Sequence, residues 1–118
     1  RLAAYLDLRN EMKETLTKEE VLRILRESLP YLRERYGVER IAIYGSFAKG
    51  RQTKKSDIDI LVHLAKPLGL DFVELAYYLE ELLGRKVDLI TFDTLRRSLE
   101  TLRYKHIAAD VERTLSYV

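Results

Sequence analysis

Between Thr17 and Tyr36 apolar residues recur at Val21, Leu25, Leu29, Leu32 and Tyr36, the spacing of a helix with one buried face. Thr17 with Glu20 three residues later has the form of a capping box, and Gly37 is a fitting C-terminal stop. Pro30 has no N–H to donate and should kink or split this helix near residues 26–30. The pattern then changes. Arg40 to Tyr44 is apolar at both parities, as in a short strand covered on two faces. A brief helical turn follows over Ser46–Lys49, then a polar loop over residues 50–56. Asp57 to Leu64 reads as a second strand and residues 67–70 as a turn. Asp71 and Glu74 then cap a helix running to about Leu83, with Phe72, Leu75, Ala76, Leu79, Leu82 and Leu83 inward and Gly84 as its stop. Lys86 to Thr91 is a third strand. From Thr94 a helical pattern continues through Leu95, Leu99 and Leu102, then Ile107, Val111 and Leu115. A phase shift near residues 103–105 fits two helices as well as one. Residues 1–16 carry a loose helical pattern. The expected order is αβαβαβα: one α/β domain over residues 1–118, with a small three-stranded mixed sheet and flanking helices.

Composition narrows the chemistry. The 118 residues suffice for one core, and the apolar share of 47% argues against disorder. Charged residues reach 34%, above the usual quarter, but they nearly cancel at +2. That balance gives little support for direct nucleic-acid binding, which needs a basic stripe. With no cysteine, disulfides, thiolate nucleophiles, iron–sulfur clusters and thiolate zinc sites are all excluded. No apolar run is long enough to span a bilayer, and no secretory h-region opens the sequence, so a cytoplasmic protein with no membrane partner is expected. Because the first residue is Arg1, a short preceding piece is expected to be missing.

The stretch that breaks the pattern is IAIYGSFAKGRQTKKSDIDILVHL, residues 41–64. It sets two carboxylates, Asp57 and Asp59, at the head of an otherwise apolar strand, where an unpaired charge is costly. Residues two apart on a strand share a face, so the two project together from alpha carbons about 6.6 Å apart. Such a pair can hold divalent cations, and hard oxygen donors favour magnesium. Asp88 interrupts the third strand, KVDLI, in the same way and can converge with them if the second and third strands are neighbours. Gly45 ends the first strand, where a tight turn needs no beta carbon. The backbone N–H groups that follow form an anion-binding concavity, and the Ser46 hydroxyl can donate to a phosphate oxygen. Lys49, Arg51, Lys54 and Lys55 supply mobile cations. Ser56, next to the first aspartate, joins Gly45, Ser46 and Lys49 as a candidate nucleotide-binding residue. Carboxylates beside a phosphate cradle describe a nucleoside-triphosphate site, and with no G-x-x-x-x-G-K-[ST] run it is not a P-loop.

Gly-Ser, ten residues, then Asp-x-Asp resembles the signature of the polymerase-β-like nucleotidyltransferases. GSFAKGRQTKKSDIDILV is similar to their minimal stand-alone members, the MNT proteins, over roughly residues 20–118. Four fixed letters at this spacing arise by chance about twice per hundred thousand starting points, taking each at roughly one in fifteen. The resemblance implies that Asp57 and Asp59 bind two magnesium ions. It implies that Asp88 binds the catalytic one and helps activate an acceptor hydroxyl, and that Gly45 and Ser46 hold the triphosphate of ATP. The family's small-Arg-Gly is here Ala48-Lys49-Gly50, and lysine lacks arginine's bidentate fork.

Structural readings stand beside these. Asp57 could cap a loop and Asp59 pair with Lys54 or Lys55, Asp88 could be a surface acid of an edge strand, and Ser46 a plain turn residue. His63 lies about 13 Å along the strand from Asp59 and is read, like His106, as structural. The helical tail after the third strand leaves no evident acceptor-binding domain, so another molecule is expected to present the acceptor. The resemblance supplies one: MNT proteins act as antitoxins by adenylylating a tyrosine of a HEPN-type RNase toxin. The expected function is therefore magnesium-dependent transfer of AMP from ATP to such a hydroxyl. The alternative is an antitoxin that caps its toxin stoichiometrically without catalysis.

Overall fold

The computed structural model describes residues 16–53, 55–100 and 115–118. The expectations for residues 1–15, Lys54, Leu102, His106, Ile107 and Val111 lie outside these.

Helix α1 spans Lys18–Tyr36, and the Thr17 hydroxyl accepts the Glu20 N–H at 3.2 Å, as the capping pattern predicts. Gly37 ends it at φ 70°, its N–H donating to the Arg33 carbonyl at 3.0 Å. Pro30 does not split the helix. It sits on the exposed side, where water can serve the carbonyl that loses its partner. Strand β1 spans Val38–Tyr44, two residues longer than expected. An irregularity of register between Val38 and Arg40 exposes both Glu39 and Arg40, which hides the strand's first turn of alternation. A short helix, α2, covers Gly45–Lys49, and β2 covers Ile58–Leu64, so Asp57 stands just ahead of its strand. Helix α3 spans Asp71–Leu83 and Gly84 closes it at φ 71°. Its N-cap is Leu70, with no side-chain cap. Asp71 and Glu74 lie in the first turn, where their charge complements the helix dipole instead of capping it. Strand β3 is Val87–Thr91, and α4 spans Phe92–Glu100. Helix α4 starts two residues before Thr94 because the Thr91 hydroxyl accepts the Thr94 N–H at 3.1 Å, a side-chain cap.

The mixed sheet has four strands in the order β3-β2-β1-β4, not three. The extra strand, β4, is Ser116–Tyr117, pairing antiparallel with Ala42 and Ile43 of β1. It covers the otherwise open edge of β1, so the helical pattern does not extend to Leu115 and beyond. Strands β1 and β2 are antiparallel, and β2 and β3 are parallel, joined by the α3 crossover.

Alternation along β1 and β2 divides the sheet into two faces. Ile41, Ile43, Ile58, Ile60 and Val62 point to one and are at most 2% exposed. They pack with Val21, Leu25 and Leu32 of α1 and Leu75, Leu79 and Leu83 of α3 into the main core. Each such side chain contributes roughly 1.5–3 kcal/mol by leaving water. The other face carries a smaller cluster, Tyr44, Leu61 and Leu95, with Ile90, Phe92 and Leu115 against it. The acids lie on this thinly covered face.

Candidate functional site

The register sets three residues in one row across the sheet. Tyr44 pairs with Asp59, and Asp59 pairs with Asp88 on the parallel neighbour. Directly paired residues point to the same side, so the convergence of Asp88 with the strand-two acid is built by the β2–β3 pairing. Asp57 lies two residues before Asp59 and is exposed, as is Asp88. Asp59 is half-buried. Burial pushes the Asp59 carboxyl up to about 6, and the charges of Asp88 and Asp57 add to the shift. Burial likewise raises the Tyr44 phenol, with Asp59 and Asp88 adding to it. No ion pair between described residues uses any of the three aspartates, so the lysine-pairing alternative for Asp59 gains no support from Lys55.

Gly45 turns the chain out of β1 at φ 71°. A beta carbon there would sit 2.2 Å from Oδ2 of Asp59 and 3.2 Å from its carboxyl carbon. The turn is thus set directly against the carboxylate, and only glycine fits both the backbone angle and the approach. Ser46 follows as the second residue of α2 and is half-buried. Lys49 ends α2 and is exposed. Ser56 is engaged within the loop, its hydroxyl oxygen accepting the Thr53 N–H at 2.8 Å. Gly45, Ser46, Asp57, Asp59 and Asp88 are therefore brought to one end of one face, with Lys49 and Ser56 on the connection between them.

The donor chemistry fits a hard divalent cation: three carboxylates, one of them raised by burial and then by its neighbours' charge, and no soft ligand. The geometry is open, because among the described residues no three acidic or histidine side chains are drawn close enough to hold a metal alone. His63 is outside this group. It sits 3.5 Å from Glu39 and edge-on to Phe92, beside a cavity of about 560 Å³ whose lining includes Arg40, Phe92, Arg96 and Tyr117 but none of the three aspartates. Sequence reasoning missed Tyr44. Its signal is its position directly before Gly-Ser, which in an antiparallel pair places it opposite the second aspartate.

The family model described as nucleotidyltransferase domain matches residues 25–114, which contain every one of these residues. The chain belongs to this family. It is 44% identical over 85 residues to the protein adenylyltransferase MntA of Thermococcus cleftensis, covering 71% of this chain and 86% of that protein. A Methanocaldococcus jannaschii chain, provisionally named a protein adenylyltransferase, is 38% identical over 105 residues, covering 86% and 98%. Among solved structures, a chain provisionally named a minimal nucleotidyltransferase superposes with a TM-score of 0.61 at 29% identity, covering 86% of this chain and 95% of that one. A chain of an MntA toxin–antitoxin complex shares the fold at a TM-score of 0.54 and 24% identity, covering 87% and 72%. This nucleotidyltransferase carries the minimal fold, with a fourth strand added to the expected three. No helix among the described residues is long and apolar enough to cross a membrane.

Proposed function

We propose that this nucleotidyltransferase moves AMP from ATP onto a hydroxyl of a protein, in the setting of a toxin–antitoxin pair. The observation that carries the reading is the row Asp59–Asp88 with the Gly45 turn seated against Asp59. It sets the turn that this reading assigns to the phosphates beside a pair of carboxylates. The 44% identical relative named a protein adenylyltransferase supports a protein acceptor. A HEPN-type toxin tyrosine is the acceptor that the family resemblance favours.

In this reading the N–H groups opening α2 and the Ser46 hydroxyl donate to the β- and γ-phosphates, and Lys49 neutralises charge at their edge. Asp57, Asp59 and Asp88 would hold magnesium, which when bound would offset phosphate charge and acidify the acceptor hydroxyl. A carboxylate oxygen of Asp88 takes the hydroxyl proton. The acceptor oxygen bonds to the α-phosphorus as the bond from that phosphorus to the bridging oxygen of pyrophosphate breaks. The leaving pyrophosphate stays on the Gly45–Ser46 turn until release.

Turnover separates this from capping. A trace of the protein with ATP and magnesium should silence a large molar excess of a HEPN-type toxin partner, and the toxin should stay silent after separation, heavier by one or more AMP groups in mass spectrometry. Asp88→Asn keeps the side chain's size but loses its charge, and should bind the toxin without modifying it. Silencing that needs equimolar protein, needs no ATP and vanishes on separation would favour the capping antitoxin.

A further inference from the structure

Asp57 lies ahead of its strand and is exposed, so something other than the β2 ladder must fix the loop that delivers it. That loop is short of apolar anchors, and three of the residues ahead of Ser56 are cations, Arg51, Lys54 and Lys55. It closes on itself in part. The Ser56 N–H donates to the Thr53 carbonyl at 3.1 Å, and the Lys55 N–H reaches the Thr53 hydroxyl at 3.3 Å. These bonds shape the turn but do not attach it to the body of the protein.

Arg85 does. It follows Gly84, the left-handed residue that ends α3, and stands two residues before β3. Its Nη1 donates to the Thr53 carbonyl at 2.9 Å and to the Ser56 carbonyl at 3.1 Å. Its guanidinium carbon also lies 5.3 Å from the centre of the Phe47 ring. Phe47 is fully buried in α2, one residue after Ser46. A single side chain thus joins the helix that follows the Gly-Ser turn, the apex of the basic loop and the peptide unit that leads into Asp57. Charged donors on neutral carbonyls make strong hydrogen bonds, and a flat guanidinium can make them while lying against a ring. Arg85 belongs to the connection into β3, the strand that carries Asp88, so the same residue also relates the loop to the third carboxylate.

We propose that Arg85 is a positioning residue for the nucleotide site. It fixes Thr53 and Ser56, and with them Asp57, against α2 and β3, so that phosphate cradle and carboxylates are in register before ATP arrives. The inference rests on the reading of Gly45, Ser46 and Asp57 as the nucleotide site. Without the clamp, ATP must order the loop when it binds, and the cost falls on affinity more than on the chemical step.

Arg85→Ala should raise the KM for ATP by about tenfold or more, the scale of one lost charge-assisted bond, with kcat changed severalfold less. Arg85→Lys keeps a donor for the carbonyls but not the flat stack, and should recover part of that loss. Methylguanidinium added to Arg85→Ala should recover part as well. A merely structural residue would lower unfolding stability while leaving the KM of the folded fraction alone, and small guanidinium ions would not mend it. A second readout needs no nucleotide. Hydrogen exchange at the Ser56 and Lys55 amides should lose protection in Arg85→Ala, while amides of α1 and β1 keep theirs. Unchanged exchange in the loop, or an ATP KM within about twofold of the parent in a variant whose urea midpoint is also unchanged, would overturn the proposal. Loss of loop protection in Arg85→Ala, together with a parent protein that binds no ATP analogue, would leave the clamp standing and refute the nucleotide reading instead.

Discussion

The two faces of the sheet are built by the same strands and alternate residues, yet they solve opposite problems. On one face Ile41, Ile43, Ile58, Ile60 and Val62 are sealed beneath α1 and α3 and carry no polar group. On the other, Tyr44, Asp59 and Asp88 form a row in which burial, and then the charges of Asp88 and Asp57, make the Asp59 carboxylate harder to keep. The first face supplies the stability that lets the second remain electrostatically unsatisfied. Burial and the neighbouring acids raise the proton affinity of Asp59 in the free protein, and its charge becomes favourable only when a cation and a nucleotide arrive. The contrast predicts that substitutions on the two faces separate cleanly into those that stop transfer and those that unfold the chain.

The largest effect should come from the acid face. Asp59→Ala should cut transfer by a factor of about a thousand or more, measured with labelled ATP, while thermal unfolding in a chelator stays level or rises. Retained transfer would remove Asp59 from the site, and a collapsed fold would make the row structural. On the sealed face the sign reverses. Ile60→Ala should cost about 2–5 kcal/mol in a urea titration, with transfer per folded molecule unchanged. Gly45→Ala joins the two faces' behaviours, since the added carbon would strike the Asp59 carboxylate and strain a positive φ. It should lose most transfer and destabilise by about 1 kcal/mol or more.

The smallest effect is a pH dependence. In metal-free protein the Asp59 carboxyl titrates near 6 when folded, above its ordinary value of 3.8. The unfolded chain therefore loses that proton more readily, so stability from this group is full below about pH 4 and is lost as pH rises through 6. Asp59→Asn should relieve the loss by about 1 kcal/mol at pH 7.5, after allowing for solvent screening of a half-exposed group, and by little at pH 4. Urea titrations in a chelator at the two pH values read the difference. Excess magnesium with a nucleotide analogue should narrow it.

What could be read from the sequence follows the same division. The sealed face was legible because its periodicity is local: the alternation of β2, the helical stripes of α1 and α3, and the glycines at 37 and 84 need no knowledge of neighbours. The Gly-Ser and Asp-x-Asp elements were legible as chemistry because each offends its local pattern. Their assembly was legible only conditionally, since the meeting of Asp59 with Asp88 depends on a parallel pairing between segments almost thirty residues apart. The fourth strand was hidden for a different reason. Two residues, Ser116 and Tyr117, are too few to show a period, and only the open edge of β1 makes them a strand. The Arg85 clamp was invisible because the groups it donates to, the Thr53 and Ser56 carbonyls, are backbone and leave no mark on composition.

The most direct test of a nucleotidyl-transfer site on the open face is the fate of phosphorus from doubly traced ATP. The protein, magnesium and a HEPN-type toxin of the proposed partner class are incubated with ATP labelled at the α-phosphate, and in parallel with ATP labelled at the γ-phosphate. The account predicts that α-label becomes covalently attached to the toxin, that γ-label appears only in pyrophosphate, and that Asp59→Ala abolishes both. Attachment of the γ-label would make the site a kinase, and absence of either label from any protein, with ATP left intact, would contradict transfer altogether.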